Sequence, residues 1–313
     1  MKLSLVVPCY NEAENVAPFQ DATIKAFRDC GYDFEIIYID DGSRDATLHQ
    51  LKKLYAEQKC PVKVVSFSRN FGKEAGLYAG LKEASGEYIS LIDADLQQRP
   101  EIVRNMVQIL EANPDLDMVA AYQDCRGESK ALSFFKKAFY KIINRLSEVN
   151  LKSDASDFRT FRRSVAESIL ELREHHRFSK GIFAWVGYNT EFIPYTACKR
   201  TRGTTKWNFR KLMNYALDGI IGYSTKPLRI ATFLGSFTSV AAFIYLIVVL
   251  LEKLIAGIDI PGYATIIVLI LFLGGMQLFC IGIIGEYVGR TFEQSKDRPI
   301  YIAKEILNYE SKA

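Results

Sequence analysis

Two apolar runs in the last third of the chain, Ile230 to Leu251 and about Tyr263 to Ile284, contain no charged side chain. Each exceeds the roughly 20 residues needed to cross a bilayer core, and soluble core helices of that length and purity are rare. The pattern excludes a wholly soluble globule. It predicts two transmembrane helices, at about 230–251 and 263–284, inside a segment spanning 227–289. The connector Glu252–Gly262 is short and holds a single Lys, while Lys226, Arg229 and Arg290 flank the other side. Basic flanks favour the cytoplasm. The expectation is a multi-pass protein of the inner (cytoplasmic) membrane, with the connector outside and the rest, including a tail at 290–313, in the cytoplasm. Gly274, Gly275, Gly282, Gly285 and Gly289 mark a small-residue face suited to a hairpin or subunit contact, so a homo-oligomer stays open.

Upstream, apolar runs rich in β-branched residues alternate with helical spacing. Strands are expected at 3–8, 34–39, 62–67, 88–92 and 117–122, and helices at 13–29, 44–55, 71–84 and 100–112. Alternation of this kind predicts an α/β domain built on a mostly parallel, Rossmann-like sheet with helices on both faces. A further helix is expected at 132–146, a polar loop at 147–160, a helix at 165–172, an edge strand at 191–195 and a basic loop at 196–205. Residues 1–205 therefore read as one cytoplasmic domain. The segment 206–226 carries Phe209, Leu212, Met213, Leu217 and Ile220, with Arg210 and Lys211 near its start. It fits an interfacial amphipathic helix better than a core helix because it immediately precedes the spans.

Composition narrows the function classes. The formal net charge of +4 is too small to argue for nucleic acid. Six cysteines at 9, 30, 60, 125, 198 and 280 show no C-x-x-C and no clustering with the three histidines, against a disulfide framework or a zinc site. Met1–Pro8 is too short an apolar run for a signal peptide and reads as a first strand. No G-x-G-x-x-G follows that strand, which removes the main support for a dinucleotide-binding dehydrogenase.

The chemistry lies at the strand ends. Tyr88–Ile92 runs into Asp93-Ala94-Asp95-Leu96-Gln97, the first strand ends at Asn11 and Glu12, and the second ends at Asp40-Asp41-Gly42-Ser43. In a parallel sheet these ends line one crevice, where open α/β sheets bind ligands. Asp93, Asp95 and Gln97 offer hard oxygen atoms, the set Mg²⁺ or Mn²⁺ takes together with substrate phosphates. An isolated D-x-D is more often a solvated turn, and its convergence with the other acidic ends raises it above that. Ser43 is expected to cap the next helix. Acidic groups, a divalent metal and a membrane anchor together point to a nucleotide–diphosphate donor and a lipid acceptor.

Val7-Pro8-Cys9-Tyr10-Asn11-Glu12, Asp40-Asp41-Gly42-Ser43 and Asp93-Ala94-Asp95-Leu96-Gln97, in that order and spacing, resemble the family 2 glycosyltransferases of GT-A fold. Within them the chain is similar to the polyprenyl-phosphate glycosyltransferases, the bactoprenol glucosyltransferases and dolichol-phosphate mannose synthases. Ser68–Lys73, Asp157-Phe158-Arg159, His176-Arg177-Phe178 and the stretch from Arg200 to Trp207 extend the match, and the two spans fit the bacterial branch. The resemblance implies inverting transfer of one sugar from a nucleotide sugar to a polyprenyl phosphate, with Mg²⁺ or Mn²⁺. It places Pro8, Tyr10, Glu12, Asp40, Asp41, Lys73 and Asp93 at the nucleotide sugar, and Asp93, Asp95 and Gln97 at the metal. Arg126, Arg159, Arg200 and Lys206 become candidates for phosphate or acceptor contacts, and Asp157 the candidate base beside Asp93 and Asp95. Many bacterial relatives have Gly where Ser156 stands and Asp where Phe161 stands. A phosphate monoester with a second pKa of about 6 is largely ionised at neutral pH. Asp157 is therefore expected to orient the phosphate or Arg159, or take a residual proton, more than to activate the nucleophile. His175 and His176 are read as structural.

Two other classes compete. A membrane-anchored nucleotide-sugar binding protein without transferase activity is disfavoured by the intact acidic set. A processive synthase usually carries Q-x-x-R-W and more spans, where this chain has His176-Arg177-Phe178 and two. UDP-glucose is the favoured donor, with UDP-GlcNAc next, then GDP-mannose or a UDP-aminopentose.

Overall fold

The computed structural model describes residues 2–28, 30–123, 144, 155–196, 219–256 and 262–309. Four strand–helix units open the chain: β1 (Leu3–Cys9), α1 (Val16–Phe27), β2 (Phe34–Asp40), α2 (Thr47–Glu57), β3 (Val62–Phe67), α3 (Lys73–Glu83), β4 (Tyr88–Leu91) and α4 (Pro100–Ala112). They are followed by β5 (Met118–Gln123), β6 (Ala155–Arg162), α5 (Arg163–Glu171), α6 (Ser179–Trp185) and β7 (Thr190–Tyr195). Two long helices, α7 (Lys226–Ala256) and α8 (Tyr263–Ser295), precede a last strand, β8 (Ala303–Leu307).

The eight strands form one sheet in the order β7-β5-β6-β4-β1-β2-β3-β8. Its centre, β4-β1-β2-β3, is parallel, as the strand–helix alternation predicts, and β7 runs parallel to β5. β6 is antiparallel to both its neighbours, and β8 is antiparallel to β3, so the sheet is mixed. Apolar side chains of β1 alternate between two cores. Leu3, Leu5 and Val7 join Phe19, Leu51, Val103 and Met106 of α1, α2 and α4. Val6 joins Ala75, Leu77 and Leu81 of α3 with Val165 and Ile182 of α5 and α6 on the other face. That alternation places helices on both faces of a sheet whose strands are buried on both sides.

Two expectations are corrected. Residues 147–160 read as a polar loop, yet 155–162 form β6 in the interior of the sheet. Ser156, Phe158 and Thr160 face the α4 side, where Thr160 bonds Met106 Sδ and Phe158 joins that core. Asp157, Arg159 and Phe161 face the α3 side. The interior strand escapes detection because its inward residues include a buried Arg and two hydroxyls. Secondly, the segment assigned to a C-terminal tail supplies β8, which covers the outer edge of β3 and stacks Tyr301 on Phe67 at 4.9 Å.

α7 and α8 are 31 and 33 residues long, about 46 and 50 Å at 1.5 Å per residue. They contain the two apolar segments Lys226–Glu252 and Thr265–Ser295, each long and apolar enough to cross a membrane. Phe233, Leu271 and Leu278 are about 70% exposed. Tyr287 Oη donates to the Ser224 carbonyl at 2.6 Å, tying α8 to the turn that leads into α7. His176 Nε2 pairs with Glu293 at 2.8 Å, and the backbone N–H of His175 donates to Gln294, so this segment docks on α8. Of segment 206–226, residues 219–226 are described and 219–222 are helical. The rest of that helix, the helix at 132–146 (apart from residue 144), the basic loop beyond 196 and Arg126, Arg200 and Lys206 lie outside the described residues.

Candidate active site

The carboxyl ends of β4, β1 and β2 lie side by side, with Val6 opposite Leu91 and Cys9 opposite Asp40. β6 runs the other way, with Arg159 opposite Leu91, so its first residues arrive at the same end of the sheet. This reversal brings Asp157 beside the strand-end carboxylates.

Lys73, the first residue of α3, joins them. Its Nζ lies 2.8 Å from Asp93 Oδ1 and 3.3 Å from Asp157 Oδ2. Desolvation disfavours the ammonium, but the two carboxylates outweigh it and push the Lys73 pKa up, on a side chain that stays 42% exposed. Burial likewise works against an ionised Asp157, yet Lys73, Lys180 and Arg159 hold its carboxyl below the usual range. Asp157 Oδ1 is buried and has no hydrogen-bond partner among the described residues.

Asp93 is fixed by a residue that sequence reasoning missed. Gln98 is buried, its Oε1 accepts the Asp93 N–H at 3.0 Å, and its Nε2 donates to Asp93 Oδ2 at 3.3 Å. The same amide reaches Ser156 Oγ at 3.5 Å, tying the loop after β4 to β6. Its only sequence signal was its place beside Gln97. Asp95 Oδ1 accepts the Gln97 N–H at 3.1 Å across Leu96, whose φ of 58° is left-handed. A branched residue in that region costs about 1–2 kcal/mol, which the surrounding bonds must hold in place.

Asp40 and Asp41 are both buried, and protein donors fill them. Asp40 accepts from the Ser43 N–H and from Ser66 Oγ. Asp41 accepts the Phe71 and Gly72 N–H groups at 2.6 and 3.0 Å, locking the loop 68–72 over the end of β2. Burial pushes the Asp41 carboxyl up against these bonds. Gly42 makes the close approach possible: its φ is +62°, and a Cβ there would stand 2.4 Å from the Arg69 backbone carbon. Ser43 does not cap α2. Its Oγ accepts the Asn11 N–H at 3.0 Å, and the cap position is Ala46, without a side-chain bond. The helix starts three residues later than that reading required. Glu12 accepts from Asn15 Nδ2 at 2.5 Å and its N–H donates to Thr47, while Pro8 and Tyr10 border the crevice half-buried. Arg159 is buried, with its guanidinium 3.9 Å from the Phe183 ring centroid and Nη2 bonded to the Ser156 carbonyl.

The donor chemistry fits a divalent cation only in part. Asp95 and Asp93 supply hard oxygens from one loop, but Lys73 and Gln98 already occupy the two Asp93 oxygens, and no group of three or more His, Cys, Asp or Glu side chains forms a cage among the described residues. Such a set suits a cation that takes its remaining ligands from phosphate and water, as Mg²⁺ does.

The mixed sheet with a D-x-D loop at the carboxyl ends of its parallel strands is the frame on which the family match falls. The chain belongs to glycosyl transferase family 2, whose profile matches residues 4–170. A GtrB C-terminal hairpin profile matches residues 226–291, the two apolar helices. The chain is 41% identical over 304 residues to the putative glycosyltransferase CsbB of Bacillus subtilis, covering 97% of this chain and 91% of that protein. It is 40% identical over 307 residues to a prophage bactoprenol glucosyl transferase homolog of Escherichia coli K12, covering 98% and 99%. The bactoprenol glucosyl transferase of Shigella phage SfV is 40% identical over 305 residues, covering 97% and 98%. The mannosyltransferase PcManGT of Pyrobaculum calidifontis, solved with GDP-Man and Mn²⁺, shares the fold at a TM-score of 0.50 and 18% identity, over 92% of this chain and 87% of that one.

Proposed function

We propose that the protein transfers one glucose from UDP-glucose to a polyprenyl phosphate at the cytoplasmic face of the membrane, with inversion, giving a lipid-linked sugar for envelope glycan modification. The observation that carries this reading is the near-full-length match to bactoprenol glucosyl transferases, through both the catalytic domain and the hairpin. The Asp93–Lys73–Asp157 bridge supports it by placing a donor-side and an acceptor-side carboxylate on one ammonium.

The donor half comprises Pro8, Tyr10, Glu12, Asp40 and Asp41, with Asp41 shaping the loop 68–72 rather than offering free oxygens. Mg²⁺ or Mn²⁺ held by Asp95 and Asp93, with Gln97, would neutralise charge on the leaving diphosphate. Lys73 supplies a second positive charge at the same point and can follow the phosphate away from Asp157. Asp157, kept ionised, would orient the attacking phosphate group through the cations it holds, Lys73 foremost; a dianion needs little help from a base. Arg126, Arg200 and Lys206 complete the acceptor half in this reading. Two spans with basic flanks keep the domain at the leaflet where the lipid phosphate lies.

The test is a panel of nucleotide sugars offered to membranes containing the protein, with undecaprenyl phosphate. UDP-glucose should yield the lipid-linked product, and its failure beside a productive UDP-GlcNAc or GDP-mannose reassigns the donor. Product from none, with nucleotide binding intact, supports a binding protein instead. EDTA should abolish turnover and added Mg²⁺ or Mn²⁺ restore it. Asp95→Asn should lower it at least about 100-fold, and normal metal-dependent activity in that variant removes Asp95 from the metal set.

A further inference from the structure

Glu74 follows Lys73 on α3 and faces the start of α6. Its Oε2 accepts the Ser179 N–H at 3.0 Å and also accepts the Ser179 hydroxyl. Ser179 is the first residue of α6, and Lys180 beside it faces Asp157 electrostatically. Four charged or titratable groups bear on Glu74: Lys73 on its own helix, Asp157 on β6, Arg177 before α6, and Tyr223 before α7. Tyr223 and Arg177 also meet Glu174, with the Tyr223 hydroxyl 3.4 Å from its carboxylate.

Asp157 and Glu74, which flank Lys73 in space and in sequence, thus sit in opposite environments. Lys73, Lys180 and Arg159 overcome burial to keep Asp157 ionised. Burial and the Asp157 charge push Glu74 up to about 7, against the Ser179 bonds and Lys73. Environments that separate paired carboxylates in this way divide their roles. Both Ser179 bonds end on Oε2, so a proton on Oε1 leaves the tie to α6 intact.

We propose that Glu74 is a positioning residue of the acceptor half: it fixes Ser179 and Lys180 beside Asp157, and takes up one proton when a phosphate dianion binds there. This rests on the acceptor reading above. The proton comes from water. Glycosyl transfer converts the dianionic monoester into a monoanionic diester, which removes one negative charge from the site and lets the proton return to solvent. No bond of the sugar is made or broken by Glu74.

Farnesyl phosphate is the probe, titrated calorimetrically into the full-length protein in detergent at pH 7.5, in buffers of different ionisation enthalpy. Wild type should take up a proton on binding, and Glu74→Gln should take up none. The acceptor KM of wild type should rise about tenfold between pH 7 and 8.5, and that of Glu74→Gln should stay flat. Stability separates this from a purely structural role. A carboxyl raised in the folded state contributes stability below its ordinary value of 4.5 that is lost as pH rises through about 7. Glu74→Gln, which keeps an oxygen acceptor for Ser179, should therefore melt at or above wild type at pH 8, while Glu74→Ala melts lower throughout. Proton uptake unchanged in Glu74→Gln, or a melting temperature lowered as in Glu74→Ala, overturns the proposal. Failure of wild type to bind farnesyl phosphate overturns the acceptor reading with it, whereas binding without Glu74-dependent uptake overturns the proposal alone.

Discussion

Asp157 meets Lys73 at 3.3 Å with one carboxylate oxygen and buries the other, an arrangement that suits a fixed negative charge better than a base. Held below the usual carboxylate range, it stays ionised from pH 8 down past pH 6. Asp157→Asn should therefore lose turnover by a similar factor at both pH values, on the order of 100-fold for lost orientation. A variant that recovers at pH 8, where the acceptor is fully dianionic, would return Asp157 to the role of proton acceptor. Asp93 and Asp95 were legible from the sequence because a buried strand running into carboxylates announces a strand end. Gln98 and Glu74 were not. Glu74 acts on Ser179 about 100 positions away, and Gln98 joins Asp93 to Ser156 about 60 positions away, pairings that no local pattern encodes.

Among the elements, β1 and β2 owe their fixed register partly to a buried charge. Glu35, fully buried on β2, accepts from Ser4 Oγ at 2.6 Å and from the Ser85 N–H and hydroxyl, and meets Lys63 Nζ at 3.0 Å. Burial raises its pKa, but these four donors outweigh that and bring it below 4.5. Its stabilisation is therefore present above pH 4.5 and lost as pH falls through the lower folded value. Glu35→Ala takes the acceptor from the buried Ser4 hydroxyl and leaves Lys63 only the Glu83 carbonyl, and should cost about 3 kcal/mol, measured by denaturant unfolding at pH 7. Less than about 1 kcal/mol would mean that the pair is no better than a surface one. The parallel centre, α1 to α5 and the edge strand β7 followed from the sequence pattern, whereas α6 did not. β6 did not, because Asp157, Arg159 and Thr160 are polar residues that only their neighbours α3, α6 and β4 make tolerable inside a sheet.

At the scale of the whole molecule, the chain leaves its α/β domain through α7 and returns through α8 to finish the sheet. β8 pairs with β3, Lys52 meets Glu305 at 2.7 Å, and Tyr55 Oη donates to the Asn308 carbonyl at 2.7 Å. Truncation after Asp297 should uncover the β3 edge and the Phe67 ring, lowering the melting temperature by about 5 °C or more. An unchanged melt would reduce β8 to an ornament of the edge. The closure also gives the long helices a fixed anchorage on the domain that holds the Asp93–Gln97 loop. By itself the sequence determined the two apolar helices, the alternating α/β plan and the acidic strand ends, since each is written in side chains a few positions apart. Only the tertiary structure decided that β6 runs backwards to deliver Asp157, that Lys73 bridges it to Asp93, and that the last strand closes the sheet. Those depend on which distant segments pack together, and packing is settled by the whole core at once rather than by any stretch of it.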